Sequence, residues 1–154
     1  MKLLSREEYN EIKWPWIYKK HNCPFCSIEK KQDDYILWKW KYWYIIYNIS
    51  PYSWDNRHLM AIPKEHIIFS KDLKDKHLKE LKEVHNRVWD FFWEENYFSF
   101  TRESLTDETR SVEHLHIHFL VWKLQWKYLR KMLEKQWYPI KQKLVNMFNP
   151  LPGF

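Results

Sequence analysis

Three histidines alternate with apolar residues in the segment SVEHLHIHFLVW, where they are His114, His116 and His118. Side chains along an extended strand point alternately to its two faces, so these imidazoles would share one face at a spacing of about 6.6 Å. The apolar residues between them would anchor the opposite face in a core. Because an imidazole titrates near neutral pH, it can serve as base, nucleophile or metal ligand. The pattern therefore predicts a strand that presents histidines to a reaction site or to a metal.

The two cysteines of the chain, Cys23 and Cys26, form a Cys-Pro-Phe-Cys motif. In a cytoplasmic protein this spacing favours a metal knuckle or a redox pair over a structural disulfide. Taken alone, the motif leaves zinc binding, a thioredoxin-like redox pair and simple packing open. A redox pair needs a strand and a helix around the motif, and the polar segment 27–34 supports that arrangement poorly.

The elements that must position these side chains follow from local composition and periodicity. Segments rich in β-branched and aromatic residues predict five strands. The predicted strands cover residues 35–37, 42–47, 58–63, 97–101 and 114–121. Ser70 can cap a helix whose apolar residues recur at helical spacing from Leu73 to Phe91, and a second helix is predicted over 124–136. This order of elements predicts an α+β fold.

The composition is that of a folded protein with a basic surface. Hydrophobic residues make up 45% of the chain and charged residues 30%, which excludes a disordered protein. No apolar run reaches the roughly 18 to 20 residues that would span a bilayer, and the start MKLLSREEY lacks the apolar core of a secretion signal. We therefore predict a cytoplasmic protein with no membrane partner. Its net charge of +6 suits an anionic ligand such as a nucleotide.

The segment His-Leu-His-Ile-His-Phe-Leu, preceded by Ser-Val-Glu, resembles the signature of the histidine-triad (HIT) family of nucleotide hydrolases and transferases. Three further segments match in the right order: 23–26, 48–51 and 58–66. Histidine rather than glutamine at position 118 resembles the hydrolase branches. The resemblance implies a HIT-like fold, with an antiparallel sheet of about five strands, one long helix and one shorter helix. It also implies a homodimer.

We predict a single HIT-like domain over residues 1–154, because no internal repeat, low-complexity tract or linker stands out. The matched motifs lie in roughly residues 20–125. A C-terminal helix and tail would cover roughly residues 124–154.

The family pattern implies a catalytic role for four residues. His116 would be the nucleophile that attacks an α-phosphorus and forms a nucleotidyl-imidazole intermediate, which water then cleaves. His118 would hydrogen-bond the phosphate oxygens, and His58 would help to orient the cluster. Ser111 matches a family hydroxyl that can donate to the phosphate or to the leaving group. The resemblance thus implies that a nucleotide is the substrate.

In the branches that carry a Cys-x-x-Cys motif, two thiolates and two histidines surround a zinc ion. The matching residues are Cys23, Cys26, His66 and His114. Such a ligand set forms a closed tetrahedral site, so the resemblance implies a structural zinc that ties the N-terminal segment to the nucleophile strand. Three histidines match no motif and are interpreted as surface or core residues: His21, His77 and His85.

Two residues are assigned to substrate binding, Asn48 and Arg102. Arg102 stands where the family usually has asparagine, and a guanidinium donates to phosphate in bidentate fashion but cannot accept a hydrogen bond. Two alternatives therefore stay open. One is a zinc-stabilised nucleotide-binding or scaffold protein without turnover. The other is a metalloenzyme whose metal is bound by the triad itself.

Glycine is almost absent from the chain, with 1 Gly against 11 Trp. Several tryptophans occupy positions where glycine is expected, such as the ends of helices and turns. They are Trp14, Trp16, Trp54, Trp93 and Trp137, while Trp122 and Trp126 flank the exit from the triad strand. We hypothesise that UGA codons read as glycine in the source are written here as tryptophan; the alternative is a naturally tryptophan-rich protein. If these positions are glycine, they offer no aromatic rings on which nucleobases could stack, so no stable nucleic-acid partner is predicted.

Overall fold

The described part of the chain is built on a five-stranded antiparallel sheet. A computed structural model describes residues 23–52, 57–93, 96–103, 112–121 and 130. The strands are β1 (Ile36–Lys39), β2 (Trp43–Tyr47), β3 (His58–Pro63), β4 (Tyr97–Thr101) and β5 (Ile117–Val121). Their order is β1-β2-β3-β5-β4, so the last strand lies between β3 and β4. The predicted α+β fold is confirmed, with β1 and β2 each beginning one residue later than predicted.

Two helices accompany the sheet in the described residues: the short α1 (Ile28–Lys31) and the long α2 (Asp75–Phe91). Short 3-10 turns cover Pro24–Ser27, Asp33–Tyr35 and Ser70–Asp72. Neither helix has the length and apolar character that crossing a membrane requires. The predicted second helix over 124–136 lies outside the described residues except for Arg130, which is helical.

The long helix begins later than predicted. Lys74 rather than Ser70 is its N-cap, and the Lys74 backbone N–H donates to Nδ1 of the buried His77 at 3.1 Å. Ser70 instead donates its backbone N–H and its hydroxyl to the Glu103 carboxylate. As an N-cap, the Ser70 hydroxyl would accept from a helix N–H, but here it is turned to donate to the charged Glu103 carboxylate, and the helix begins after Lys74 instead.

The two faces of the sheet are covered by different elements. On one face, Val84, Val88 and Phe92 of the α2 region pack against a buried cluster that includes Leu115 and Phe119. On the other face, the N-terminal segment around the cysteines packs against β2 and β3. This second cluster contains Cys23, Phe25, Ile28, Tyr44, Ile46, Met60, Ile62 and Val112. The apolar residues of the triad segment therefore anchor it on the α2 side, as predicted.

The triad strand is shorter than predicted, since β5 begins at Ile117 and contains only His118 of the three histidines. The opposing strand ends at Pro63, which has no backbone N–H to extend the ladder. Instead, the Pro63 carbonyl accepts a hydrogen bond from His114 Nε2 at 2.8 Å. The alternation of side chains nevertheless continues, because the rings of His114 and His116 both contact Phe25 on the face away from α2.

Candidate active site and metal centre

Four residues that could hold a metal ion converge beside the sheet: Cys23, Cys26, His66 and His114. Their ligand atoms all lie within 4.8 Å of one another. The Cys26 sulfur is 3.1 Å from His66 Nδ1, and His114 Nδ1 is 3.3 Å from the Cys23 sulfur and 3.6 Å from that of Cys26. Bonds of about 2.0 to 2.3 Å place the ligands of a tetrahedral zinc about 3.3 to 3.8 Å apart. The donor set fits such an ion, and the two distances from His114 Nδ1, 3.3 and 3.6 Å, lie within that range.

The protonation state of His114 suits a ligand. Its Nε2 lies 2.8 Å from the Pro63 carbonyl, which can only accept, so Nε2 carries the proton and Nδ1 offers its lone pair to the cluster. Burial, with a smaller contribution from His66 and His116, lowers the pKa of His114 to about 3 against the opposing effect of the Pro63 bond. Cys23 and Cys26 do not form a disulfide, so both sulfurs can serve as metal ligands.

The middle histidine is held in a single tautomer. His116 is only 4% exposed, and its Nδ1 lies 2.7 Å from the backbone carbonyl of His114. A carbonyl can only accept, so Nδ1 carries the proton and the lone pair of neutral His116 is on Nε2. The Phe25 ring packs with its edge toward this imidazole at 5.3 Å between centroids. His116 therefore offers an oriented nucleophilic nitrogen, and its anchoring carbonyl belongs to a residue of the metal cluster.

A chain of hydrogen bonds orders the two neighbouring imidazoles. The Tyr52 backbone N–H donates to His58 Nδ1 at 3.1 Å, which leaves the proton of neutral His58 on Nε2. That nitrogen donates to His118 Nδ1 at 2.9 Å, so the proton of His118 is on its own Nε2. Each imidazole thus determines the tautomer of the next. The chain ends in an N–H donor on His118, the atom type that a phosphate oxygen accepts from.

His58 is kept neutral by its surroundings. Burial, with smaller contributions from the positive charge of Arg102 and from the nearby His116, lowers the pKa of His58 to about 3. The side chain is 0% exposed. A neutral His58 can accept at one nitrogen and donate at the other, which is the state that the hydrogen-bond chain requires.

Asn48 supports His58 from the side. Its side-chain nitrogen lies 3.1 and 3.2 Å from the two ring nitrogens of His58, and its oxygen accepts the Ser50 backbone N–H at 2.9 Å. The residue is buried. Asn48 was predicted to bind substrate, but both polar atoms of its side chain make hydrogen bonds within the protein.

Arg102 reaches the same cluster from the end of β4. Its Nη2 donates to the Tyr52 hydroxyl at 3.0 Å, and its guanidinium carbon lies 5.8 Å from the centroid of that ring. Its Nε is buried and makes no hydrogen bond within the part of the chain that the structure describes. A cation with donors still available therefore lies beside the histidines.

Most of the predicted site residues come together in two adjoining groups. The metal group contains all four predicted ligands. The second group contains His58, His116, His118, Asn48 and Arg102. Ser111 lies outside the described residues. Among those residues, the one cluster suited to a metal takes only its first member from the triad, which gives no support to a metal held by the triad itself.

Tyr52 is a site residue that the sequence analysis missed. Its backbone, ring and hydroxyl all contact members of the second group. The signal that could have identified it is its position directly after the matched segment 48–51. No other local pattern distinguishes Tyr52 from the rest of the 10 tyrosines in the chain.

Residues 22–133 match the family described as "Scavenger mRNA decapping enzyme C-term binding". This range covers all five described strands and both groups of site residues. A comparison with curated proteins finds no match.

Solved structures with a similar fold carry histidine-triad names. The chain is 28% identical to a HIT family hydrolase from Clostridium thermocellum, with a TM-score of 0.53 over 67% of this chain and 92% of that one. A HIT family hydrolase from Legionella pneumophila is 24% identical, with a TM-score of 0.53 over 68% and 97% of the two chains. A histidine triad nucleotide-binding protein from Candida albicans is 20% identical, with a TM-score of 0.54 over 81% of this chain and 99% of that one. The last two likenesses show the fold alone.

Proposed function

The chain belongs to the histidine-triad family, and from this membership we propose that it hydrolyses or transfers a nucleoside monophosphate through a covalent intermediate on His116. The observation that carries the proposal is the 2.7 Å bond from His116 Nδ1 to the His114 carbonyl. It leaves Nε2 as the nucleophilic nitrogen. Covalent catalysis divides one difficult displacement into two easier ones and needs such an oriented, neutral imidazole.

In the first step, the Nε2 lone pair of His116 attacks the α-phosphorus. The bond from phosphorus to the leaving group breaks, and its electron pair goes to the leaving group, which takes a proton from water or from a serine such as Ser111. The imidazole becomes cationic while Nδ1–H still donates to the His114 carbonyl, whose partial negative charge stabilises the ring. The product of this step is a nucleotidyl-histidine.

In the second step, the oxygen of a water molecule bonds to phosphorus as the bond from phosphorus to Nε2 breaks. The electron pair returns to His116, the water proton passes to solvent, and the nucleoside monophosphate leaves. His118 Nε2–H and the guanidinium of Arg102 donate to the phosphate oxygens throughout. Donors aligned before the reaction are worth most when charge develops on the transferring group.

His58 and Asn48 act in this proposal as positioning residues. His58 holds His118 in the tautomer that donates from Nε2, and Asn48 holds His58. Asn48 makes these contacts through its nitrogen to His58 and its oxygen to the Ser50 N–H, and its direct contact with substrate stays a prediction from the sequence.

We further propose zinc as the metal held by Cys23, Cys26, His66 and His114, which offer the soft and borderline donors that zinc prefers. When bound, the ion supplies folding free energy rather than a reaction step. Its ligands come from the N-terminal segment and from the residue whose carbonyl orients His116. The homodimer and the cytoplasmic location stay predictions from the sequence.

The test is to incubate purified protein with adenosine 5′-phosphoramidate, a diadenosine polyphosphate and a capped dinucleotide, the last because of the decapping-enzyme family description. AMP or the corresponding monophosphate should be released by the wild type and not by a folded His116→Ala variant. His85→Ala is the matched control, because His85 is exposed on α2 and contacts Phe119 rather than the site. A trapped nucleotidyl-protein of the wild type in the mass spectrum would identify the intermediate.

Two results would favour the alternatives. Nucleotide binding without release of monophosphate from any of the three substrates would support a zinc-stabilised binding protein. Loss of the metal from the His116→Ala or His118→Ala variant would support a metalloenzyme whose triad holds the metal.

A further inference from the structure

Tyr52 contacts three members of the proposed phosphate site with three different parts of its structure. Its backbone N–H donates to His58 Nδ1 at 3.1 Å. Its ring stacks on His118 at 5.6 Å between centroids and 30° between planes. Its hydroxyl accepts from Arg102 Nη2 at 3.0 Å. The side chain is only 6% exposed, so its protein neighbours restrict its position.

We propose that Tyr52 is a positioning residue for phosphate binding, which holds the Arg102 guanidinium and the His118 imidazole as one anion-binding unit. The inference rests on the proposed function, since that function is what brings a phosphate to these groups. It goes further by identifying the residue that determines how well the site holds the phosphate. Tyr52 acts through Arg102 and His118 and needs no contact with the substrate.

The imidazole of His118 is fixed by its aromatic neighbours as well as by its hydrogen bond. Phe100, its cross-strand partner, stacks on the ring at 4.7 Å and 19°, and Tyr52 stacks on it as well. A ring stacked in this way cannot rotate without losing both contacts. The Nε2–H of His118 therefore keeps one direction, and Tyr52 is one of the two rings that maintain it.

Contacts restrain Arg102 both near its backbone and at the guanidinium. Glu103, the next residue, accepts the backbone N–H and the hydroxyl of Ser70 at 2.9 and 2.7 Å, which holds the backbone beside Arg102. The Tyr52 hydroxyl holds the tip. Arginine has five N–H donors, and the bond to Tyr52 uses one of them. A pair of the remaining donors can bind an anion without first losing the freedom of a mobile side chain.

Removing the Tyr52 hydroxyl tests its contact with Arg102 separately from its contacts with His118 and His58. Tyr52→Phe keeps the ring on His118 and the backbone N–H on His58, and it removes only the acceptor of Arg102. We expect the variant to bind AMP about tenfold more weakly, the usual effect of losing one partner of a hydrogen bond to a charged group. Binding of adenosine, which has no phosphate, should stay the same.

The experiment measures equilibrium binding of AMP and of adenosine by calorimetry to the wild type, Tyr52→Phe, Arg102→Gln and the double variant. If Tyr52 acts through Arg102, the double variant should bind AMP no more weakly than Arg102→Gln alone. Tyr44→Phe is the matched control: Tyr44 is also buried, and its hydroxyl pairs with Glu29 away from the site. In turnover, Tyr52→Phe should lower kcat/KM at least about tenfold, because the donors that Tyr52 positions act on the phosphate throughout the reaction.

Unchanged AMP binding by Tyr52→Phe would overturn the inference, and so would losses that add fully in the double variant. If Tyr52→Phe does not fold, Arg102→Lys removes the planar fork from the Tyr52 oxygen and keeps the charge; it should show the same loss. Wild-type affinity for AMP in Arg102→Lys would then overturn the inference. A wild type that binds AMP but releases none from any substrate overturns the proposed function alone, whereas one that fails to bind AMP overturns both.

Discussion

At the scale of single residues, backbone groups determine which nitrogen carries the proton in three of the site's imidazoles. The carbonyls of Pro63 and His114 fix the protons of His114 and His116, and a backbone N–H fixes that of His58. A backbone group is only a donor or only an acceptor, so it selects a tautomer that a side chain with both capacities would leave undetermined. The N–H and the lone pair of each of these rings therefore point in assigned directions.

The substitution Asn48→Asp should disturb the hydrogen bonds that set the tautomer of His58. The aspartate can still accept the Ser50 N–H, but it offers His58 an acceptor where the amide offered a donor. A carboxylate beside His58 favours its protonated form, which cannot accept from Tyr52. We expect the rate of AMP release at pH 7 to fall at least about tenfold. Metal analysis should show unchanged zinc content, and an unchanged rate would contradict the positioning role of Asn48.

The lowered pKa of His58 predicts a specific loss of stability in acid. The folded protein holds this group neutral down to about pH 3, whereas the unfolded chain takes up a proton below its ordinary pKa of about 6.5. The unfolded state therefore binds more protons between these values, and the stability falls as the pH falls. From pH 6.5 to 5 this effect amounts to about 1.5 kcal/mol of unfolding free energy.

Chemical denaturation at several pH values checks this expectation. Between pH 6.5 and 5, the unfolding free energy of His58→Gln should fall by about 1.5 kcal/mol less than that of the wild type. The other titrating groups, including the metal ligands, are common to both proteins and cancel in the difference. Equal pH dependence in the two proteins would show that His58 is not held neutral.

At the scale of elements, the metal cluster joins the N-terminal segment to the residues that flank two paired strands, β3 and β5. Cys23 and Cys26 belong to the N-terminal turn, His66 follows β3, and His114 precedes β5. The Cys23 sulfur lies 3.3 Å from His114 Nδ1, although the two residues are 91 positions apart in the chain. A bound ion would therefore restrain both the covering segment and the residue whose carbonyl orients His116.

Loss of the metal should lower stability without removing the sheet. Cys26→Ser, and separately treatment with a strong chelator, should abolish zinc binding and lower the unfolding free energy by several kcal/mol. Elemental analysis and thermal melting are the measurements. His116→Ala is the comparison, because it should keep one zinc per chain. Full stability of the metal-free protein would contradict a structural role.

At the scale of the whole molecule, the tryptophans fall into different environments. Trp43 is fully buried and donates its indole N–H to the His77 carbonyl at 3.0 Å, so this position uses the whole side chain. Trp93 is 72% exposed just after the end of α2, where helices often end on glycine. Trp54 and Trp137 lie outside the described residues. The packing thus separates a tryptophan with a structural role from one that fits the recoding hypothesis.

Reading the gene tests this separation. We expect TGG at the codon for Trp43, since glycine there would leave a large cavity under α2. We expect TGA at the codon for Trp93. The mass of the protein from its natural source would then show glycine at each TGA position. TGG at all 11 positions would end the recoding hypothesis.

Several features of the site were predictable because they depend on local order in the chain. The alternation around His116 predicted which neighbours enter the core, and the structure confirms it for Leu115 and Phe119. Errors occurred where a distant residue competes with the local pattern. Ser70 is diverted from the helix cap by Glu103, and the triad strand is shortened by Pro63. Local periodicity contains no information about such partners.

By itself, the sequence determined the types of residue available for chemistry, the faces on which they alternate and the family to which their spacing belongs. These follow from the geometry of an extended chain and of a helix, which needs only near neighbours. Only the tertiary structure decided the contacts, because β5 lies between β3 and β4 and so brings His118 to His58, 60 positions away. The contact between Tyr52 and Arg102, 50 positions apart, has the same origin. Such pairings depend on the order of strands in the sheet, which no short segment of the chain specifies.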